Sequence, residues 1–228
     1  MAKKCFLWIE AVIYISFFYL DIKGGDPFHM FGGLSSLLKY GGVWLCFFWS
    51  CQYRQWITIG LLGTVCADFF LLFTDWWLCG VLCFIGVQIC YGIWLKKESF
   101  PKENFSKENF WRRVFFKEMW AVGAAIFLLA ALTFFDVSVD ALLVATAVYA
   151  MLLVQNTIGG IRSGRRKFAI GMCLFLLCDL QVGIYNMALY LPQMKEAPLF
   201  SWLEQAASVG IWVCYLPAKV LIALSGEK

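Results

Sequence analysis

Two carboxylic acids lie inside apolar runs where charge is costly: Asp68, within Thr64-Val-Cys-Ala-Asp68-Phe-Phe-Leu-Leu-Phe73, and Asp179, within Met172-Cys-Leu-Phe-Leu-Leu-Cys-Asp179-Leu-Gln-Val-Gly183. An acid at hydrocarbon depth is usually kept because a polar cavity or a reaction needs it. Two acids that share a low-dielectric interior do not both ionise, which leaves one as a proton donor and the other as a base. The chemistry open to such a pair is proton transfer. The blander reading is bracing, in which each acid only bonds a neighbouring helix.

Other polar residues are candidates to serve this pair. Lys219, in Tyr215-Leu-Pro-Ala-Lys219-Val-Leu-Ile-Ala-Leu, stands roughly 9 Å from the inner end of its run by helical rise. It either snorkels to the interface or turns inward toward a carboxylate or phosphate. Pro217 should kink that helix and free a carbonyl. Gln88 and Tyr91, three apart, share a helix face and can bond a buried acid, a head group or simply another helix. Gln155, Asn156, Gln181, Tyr185 and Asn186 read the same way, and Glu10 is expected to reach water. Lys39 and His29 flank the outer start of the second run. A single histidine excludes a three-histidine zinc site, and any Ser-His-Asp triad would have to use His29. No Gly-x-Ser-x-Gly elbow, phosphate loop or dinucleotide fingerprint is present, so no metal or cofactor is expected.

The elements that must position these residues are helices in a bilayer. The chain of 228 residues is 62% hydrophobic and 15% charged, with mean hydropathy +0.74, too apolar for a soluble domain. Its apolar runs predict an all-α polytopic membrane bundle with eight transmembrane helices over 5–20, 34–51, 56–73, 77–95, 119–135, 141–158, 168–185 and 206–224. They form one integral membrane domain over 1–228. The first run follows Lys3-Lys4 but lacks a small-x-small cleavage pattern, so it reads as an uncleaved span. Lys and Arg concentrate in alternate loops, which places both termini in the cytoplasm. With the basic residues confined to those loops, the net charge of +4 points to no nucleic acid. The ten cysteines fall almost wholly in apolar runs and read as small hydrophobes without a disulfide framework.

The segment 96–118 predicts a cytoplasmic linker with the near-duplicates Lys102-Glu-Asn-Phe105 and Lys107-Glu-Asn-Phe110, either an interfacial helix or a solvated connection. It divides the spans four and four. Gly86-Val-Gln-Ile-Cys-Tyr91 echoes Gly210-Ile-Trp-Val-Cys-Tyr215, compatible with a parallel pseudo-repeat. Asp68 and Asp179 each occupy the third span of their set, roughly 17 Å from its inner end. At equal depth they can face one another.

The blocks Ala67-Asp68-Phe-Phe-Leu-Leu, Cys79-Gly-Val-Leu-Cys-Phe-Ile-Gly-Val-Gln-Ile-Cys-Tyr91, Gly171-Met-Cys-Leu-Phe-Leu-Leu-Cys-Asp179 and Tyr215-Leu-Pro-Ala-Lys219, in that order, resemble the signatures of the YhhN-like, or lysoplasmalogenase, family of membrane proteins. Gln88 stands where many members have His, and Lys219 where many have Gln. The resemblance implies hydrolysis of the vinyl ether bond of a lysoplasmalogen, releasing a fatty aldehyde and a glycerophospho-head group. Such a bond breaks when its β-carbon is protonated and water captures the oxocarbenium ion, so an acid, a stabilising carboxylate and a water suffice. The implied catalytic residues are Asp68 and Asp179, with Gln88, Tyr91, Tyr215, Lys219 and Lys39 shaping a lipid site. The implied partners are a lysophospholipid substrate and the lipids of a bacterial cytoplasmic membrane. A different use of the same acids is a proton-coupled transporter or binding protein for lipids or small molecules.

Overall fold

The structure, a computed structural model, describes residues 2–24, 33–53, 55–99, 123, 125–127, 130, 139–190 and 198–227. Seven helices carry the described chain: α1 (Ala2–Gly24), α2 (Leu34–Cys51), α3 (Trp56–Phe73), α4 (Trp77–Ser99), α5 (Ala141–Arg162), α6 (Arg166–Tyr190) and α7 (Pro198–Leu224). There is no strand among the described residues. Of the span expected over 119–135, residues Gly123, Ala125, Ile126, Phe127 and Ala130 are described, and all are helical. His29 and the linker beyond Ser99 lie outside the described residues.

α2 and α3 coincide with their apolar runs, whereas α1, α4, α6 and α7 extend past theirs into polar residues such as Lys3, Lys97 and Arg166. Helical backbone satisfies its own hydrogen bonds, so the helix need not stop where the apolar side chains do. Five helices, α3 to α7, are long and apolar enough to cross a bilayer. α2 is diluted by Ser35, Ser36, Lys39 and the Gly41-Gly42 pair, and α1 carries Glu10 and Asp21. All three charged side chains, Glu10, Asp21 and Lys39, are buried against the bundle. The outward faces are apolar instead: Trp8, Ile15, Phe48, Leu180 and Trp202 are all more than half exposed. Surface of this kind suits lipid and not water.

Six helices form a closed ring. Consecutive neighbours pack in the order α2, α3, α4, α5, α6, α7, and α7 returns to pack on α2 and α3, while α1 packs on α2 from outside. Two of these junctions are parallel. Phe84 meets Tyr149 while Gln88 meets Asn156, so α4 and α5 run the same way. Lys39 lies under Trp212 while Gly42 faces Leu216, so α2 and α7 also run the same way. Ser99 and Ala141 therefore lie at opposite ends of the bundle.

Close approaches are set by small residues, as in bundles where lipid offers no hydrophobic drive to associate. A Cβ on Gly60 would stand 2.4 Å from the Tyr91 ring, and one on Gly171 would stand 3.0 Å from the Ala218 carbonyl. The α5–α6 turn uses Gly164 at φ +70°, which costs an L side chain more than glycine. At Pro217 the helix interior lacks an N–H, which leaves the Val213 carbonyl without its helical donor. The Tyr14 hydroxyl of α1 donates to that oxygen at 3.2 Å. The freed carbonyl that the sequence predicts is thus taken by the first helix.

One polar cluster ties the chain ends together. Glu227 accepts from Lys167, at the start of α6, at 2.7 Å and also pairs with Lys3 in α1. The two termini and the α5–α6 turn consequently share one end of the bundle. Lys3 and Lys167 pull the Glu227 carboxyl below its ordinary value of 4.5, against the opposing effect of its partial burial.

Candidate functional site

Two helices of the ring present the acids and two others present their donors. Asp68 on α3 is buried and accepts a hydrogen bond from the Tyr215 hydroxyl of α7 at 2.5 Å. Asp179 on α6 is half-buried and accepts from the Tyr149 hydroxyl of α5. One oxygen of Asp68, Oδ2, is buried with no hydrogen-bond partner. The helical spacing explains how each element serves the cluster: Phe175 and Asp179, and Tyr215 and Lys219, are both four apart and share a face.

Lys219 is the cation of this cluster. It is fully buried, and its ammonium lies 3.1 Å from the centroid of the Phe175 ring, 4.6 Å from that of Tyr215 and 5.2 Å from that of Phe84. Among the described residues no hydrogen-bond acceptor reaches its Nζ. Asp68 and Asp179 are the carboxylates within electrostatic range of it. Of the two roles open to Lys219 from sequence, snorkelling and turning inward, the fold selects the inward one.

The sequence-predicted residues therefore separate into two groups. Asp68, Asp179, Tyr215 and Lys219 meet in one cluster. Gln88, Tyr91 and Lys39 stand around it. Gln88 takes two hydrogen bonds from the Asn156 amide, one on its backbone oxygen at 2.7 Å and one on Oε1 at 3.0 Å, which fastens α4 to α5. Tyr91 is buried edge-on against Phe168 over Gly60, within electrostatic range of Asp68. Lys39 is ion-paired with Asp21 at 2.8 Å, and Asp21 also accepts from Ser35. The Lys39 ammonium sits 4.2 Å from the Trp212 ring, whose own edge meets Tyr215 with centroids 5.6 Å apart. One aromatic residue thus separates Lys39 from the Asp68 donor.

Three members of the site escape a reading of the sequence: Tyr149, Phe84 and Phe175. Tyr149 does so although it lies seven residues before Asn156 and so on the same helix face, and phenylalanine in a membrane helix carries no signal of its own. Outside the site, Glu10 corrects the expectation that it reaches water: it is buried and accepts from the Cys46 thiol at 3.4 Å. Cys46 in turn is within electrostatic range of Lys219. Glycine at position 42 leaves the room, since a Cβ there would stand 3.2 Å from Glu10 Oε2. Among the described residues no three His, Cys, Asp or Glu side chains group as metal ligands.

The model of the YhhN family matches residues 30–226. The chain belongs to the YhhN family. The match begins before α2 and ends within the Glu227 cluster, so it takes in every member of the aspartate site. α1 falls outside it, and with α1 fall Glu10 and Tyr14. No curated protein and no solved structure matches the chain. Membership of the YhhN family and five bilayer-length apolar helices make this a multi-pass membrane protein.

Proposed function

We propose that the protein is an intramembrane hydrolase that cleaves the vinyl ether bond of lysoplasmalogen-type lipids, with Asp68 and Asp179 as its acid and base. The observation that carries this reading is that each of two carboxylates in apolar helices accepts from a tyrosine hydroxyl, with the buried Lys219 ammonium against the rings of Phe175 and Tyr215. The protonated acid delivers its proton to the β-carbon of the vinyl ether. The positive charge that develops on the ether carbon is offset by the other carboxylate, and that carboxylate then takes a proton from the attacking water. The resulting hemiacetal collapses: its hydroxyl proton passes to the first carboxylate, the C–O bond to glycerol breaks, and the second acid returns its proton to the leaving oxygen. The products are a fatty aldehyde and a glycerophospho-head group. Tyr215 and Tyr149 hold the two carboxyls in place, and Gln88, Tyr91 and Lys39 shape the surrounding lipid site. Lysophospholipid is the substrate partner, and the bacterial cytoplasmic membrane is the location.

Eight crossings with both termini in the cytoplasm complete the proposal. The parallel pairing of α4 with α5 supports an added crossing between Ser99 and Ala141, and the clamp of Lys3 and Lys167 on Glu227 supports termini on one side. A parallel four-plus-four repeat is supported by the matching parallel junctions, α4 with α5 and α7 with α2. The repeat is imperfect at the site, because Asp68 takes its donor from α7 while Asp179 takes its donor from α5 and not from Tyr91 of α4.

The test is aldehyde release from a purified lysoplasmalogen panel in detergent or nanodiscs. Wild-type protein is expected to release aldehyde, and Asp68→Asn and Asp179→Asn each to abolish release while still eluting as one species. Turnover persisting in both variants would remove the chemistry. Proton flux in liposomes with no change in any lipid would favour the carrier reading instead.

A further inference from the structure

Lys219 is left without a task by acid and base catalysis. A buried ammonium carries three N–H donors, yet here none has an acceptor: three aromatic faces and two carboxylates beyond hydrogen-bond reach surround it. Desolvated lysines in apolar surroundings are the ones that proteins use to form Schiff bases with carbonyl compounds. We propose that Lys219 forms an imine with a long-chain aldehyde, held in the cage of Phe84, Phe175 and Tyr215 with Asp68 and Asp179 as counter-charges.

The condensation balances in atoms and charge. The Lys219 ammonium passes a proton to an ionised aspartate through a bridging water, and the free amine adds to the carbonyl carbon. A C–N bond forms, and a proton moves from nitrogen to the former carbonyl oxygen to give a carbinolamine. The protonated aspartate returns its proton to that hydroxyl, which leaves as water. The net change is one ammonium and one aldehyde in, one protonated imine and one water out, with no oxidation. A protonated imine is still a cation, so it keeps the ring faces and both carboxylates as partners. It has one N–H where the ammonium had three, which removes two of the unmet donors.

The cage and the half-buried Asp179 commit the ligand to an aldehyde on a hydrocarbon chain. Asp179 is the member of the cluster with partial exposure, and the partly buried Leu176 and Val182, three residues before and after it, share its side of α6. An alkyl chain lying along that side has its polar end at Asp179. That such an aldehyde also arises in the site rests on the hydrolase reading; the amine and its cage do not.

Trapping by reduction tests the inference on unaltered protein. The protein in nanodiscs is incubated with hexadecanal and sodium cyanoborohydride, digested, and mapped by mass spectrometry. In a second arm lysoplasmalogen replaces the aldehyde. The expected result with hexadecanal is a gain of one hexadecyl group on the Lys219 peptide in excess of any gain at Lys3, Lys4 or Lys167, lost in Lys219→Gln while the surface lysines are labelled as before. Absence of label at Lys219 in both arms, or label no greater than at the surface lysines, would overturn it. Label with hexadecanal but no aldehyde from lysoplasmalogen would leave the imine standing and remove the hydrolase.

Discussion

Tyr149 and Tyr215 make equivalent contacts with the two acids, so they report which role the acids have. Removing either hydroxyl deletes a hydrogen bond to a charge-bearing group, worth about 1.5–3 kcal/mol. If the bond is realised in the reacting geometry, Tyr215→Phe and Tyr149→Phe each lower kcat by roughly tenfold to a hundredfold in the aldehyde assay. If the acids only brace the helices, the same variants lower the melting temperature and leave no catalytic difference to measure. The Lys39–Asp21 pair behaves differently. Both partners are buried, so Asp21→Asn removes a carboxylate from a buried ion pair and is expected to destabilise by about 3–5 kcal/mol. Thermal unfolding in detergent reads that loss, and a change under 1 kcal/mol would show the pair to be solvated, by the principle that exposed pairs are worth about that little.

At the scale of elements, the junction of α1 with α7 turns on one missing N–H. Tyr14→Phe strips the donor from the Val213 carbonyl, an expected loss of about 1–3 kcal/mol. In a Pro217→Ala background the helix supplies its own N–H at that carbonyl, so the same Tyr14→Phe change should cost little. A double-mutant cycle measures the difference. Equal losses in both backgrounds would show that Tyr14 acts by packing alone. The α3–α4 junction is tighter. Gly60→Ala puts a methyl group against the rigid Tyr91 ring, an overpacking expected to cost about 1–3 kcal/mol. Gly210→Ala meets the flexible end of Gln181 instead, which can turn away. Gly60→Ala should therefore lower the melting temperature more than Gly210→Ala does.

Across the whole molecule, the Glu227 clamp joins α1, α6 and the chain end and responds to pH. Its carboxyl is held below the ordinary glutamate value in the fold, so the unfolded chain binds the proton more readily. The sign follows: the contribution is present above about pH 4.5, the ordinary value, and is lost as pH falls through the lowered folded value. Glu227→Gln removes this part of the pH dependence. The melting temperature of wild type and variant, followed from neutral pH down to acid, should converge at the acid end. Parallel curves at all pH values would exclude the clamp as the cause.

How far the molecule could be read in advance also differs by scale. The helices were largely legible, because a bilayer forces backbone to bond within each segment and so ties helix length to apolar run length. Asp68, Asp179 and Lys219 stood out because charge is costly in hydrocarbon, and Tyr215 through the family resemblance. Tyr149 did not, since a tyrosine in an apolar helix is ordinary until its hydroxyl has a partner. Glu10 read as an interfacial acid because depth along a helix says nothing about which neighbour covers it. Gly42 and Cys46 on α2, brought across the α1–α2 contact, cover it.

Composition and periodicity by themselves determined that the chain is helical, that it is built for lipid, and that two acids lie at matched depth, all consequences of each residue's own solvation. Tertiary structure alone decided that α7 closes the ring onto α2 and α3, that Tyr149 and not Tyr91 serves Asp179, and that Lys219 turns into an aromatic cage. Those choices depend on which helix faces which, and pairing between segments far apart in sequence is set by packing that no single segment encodes.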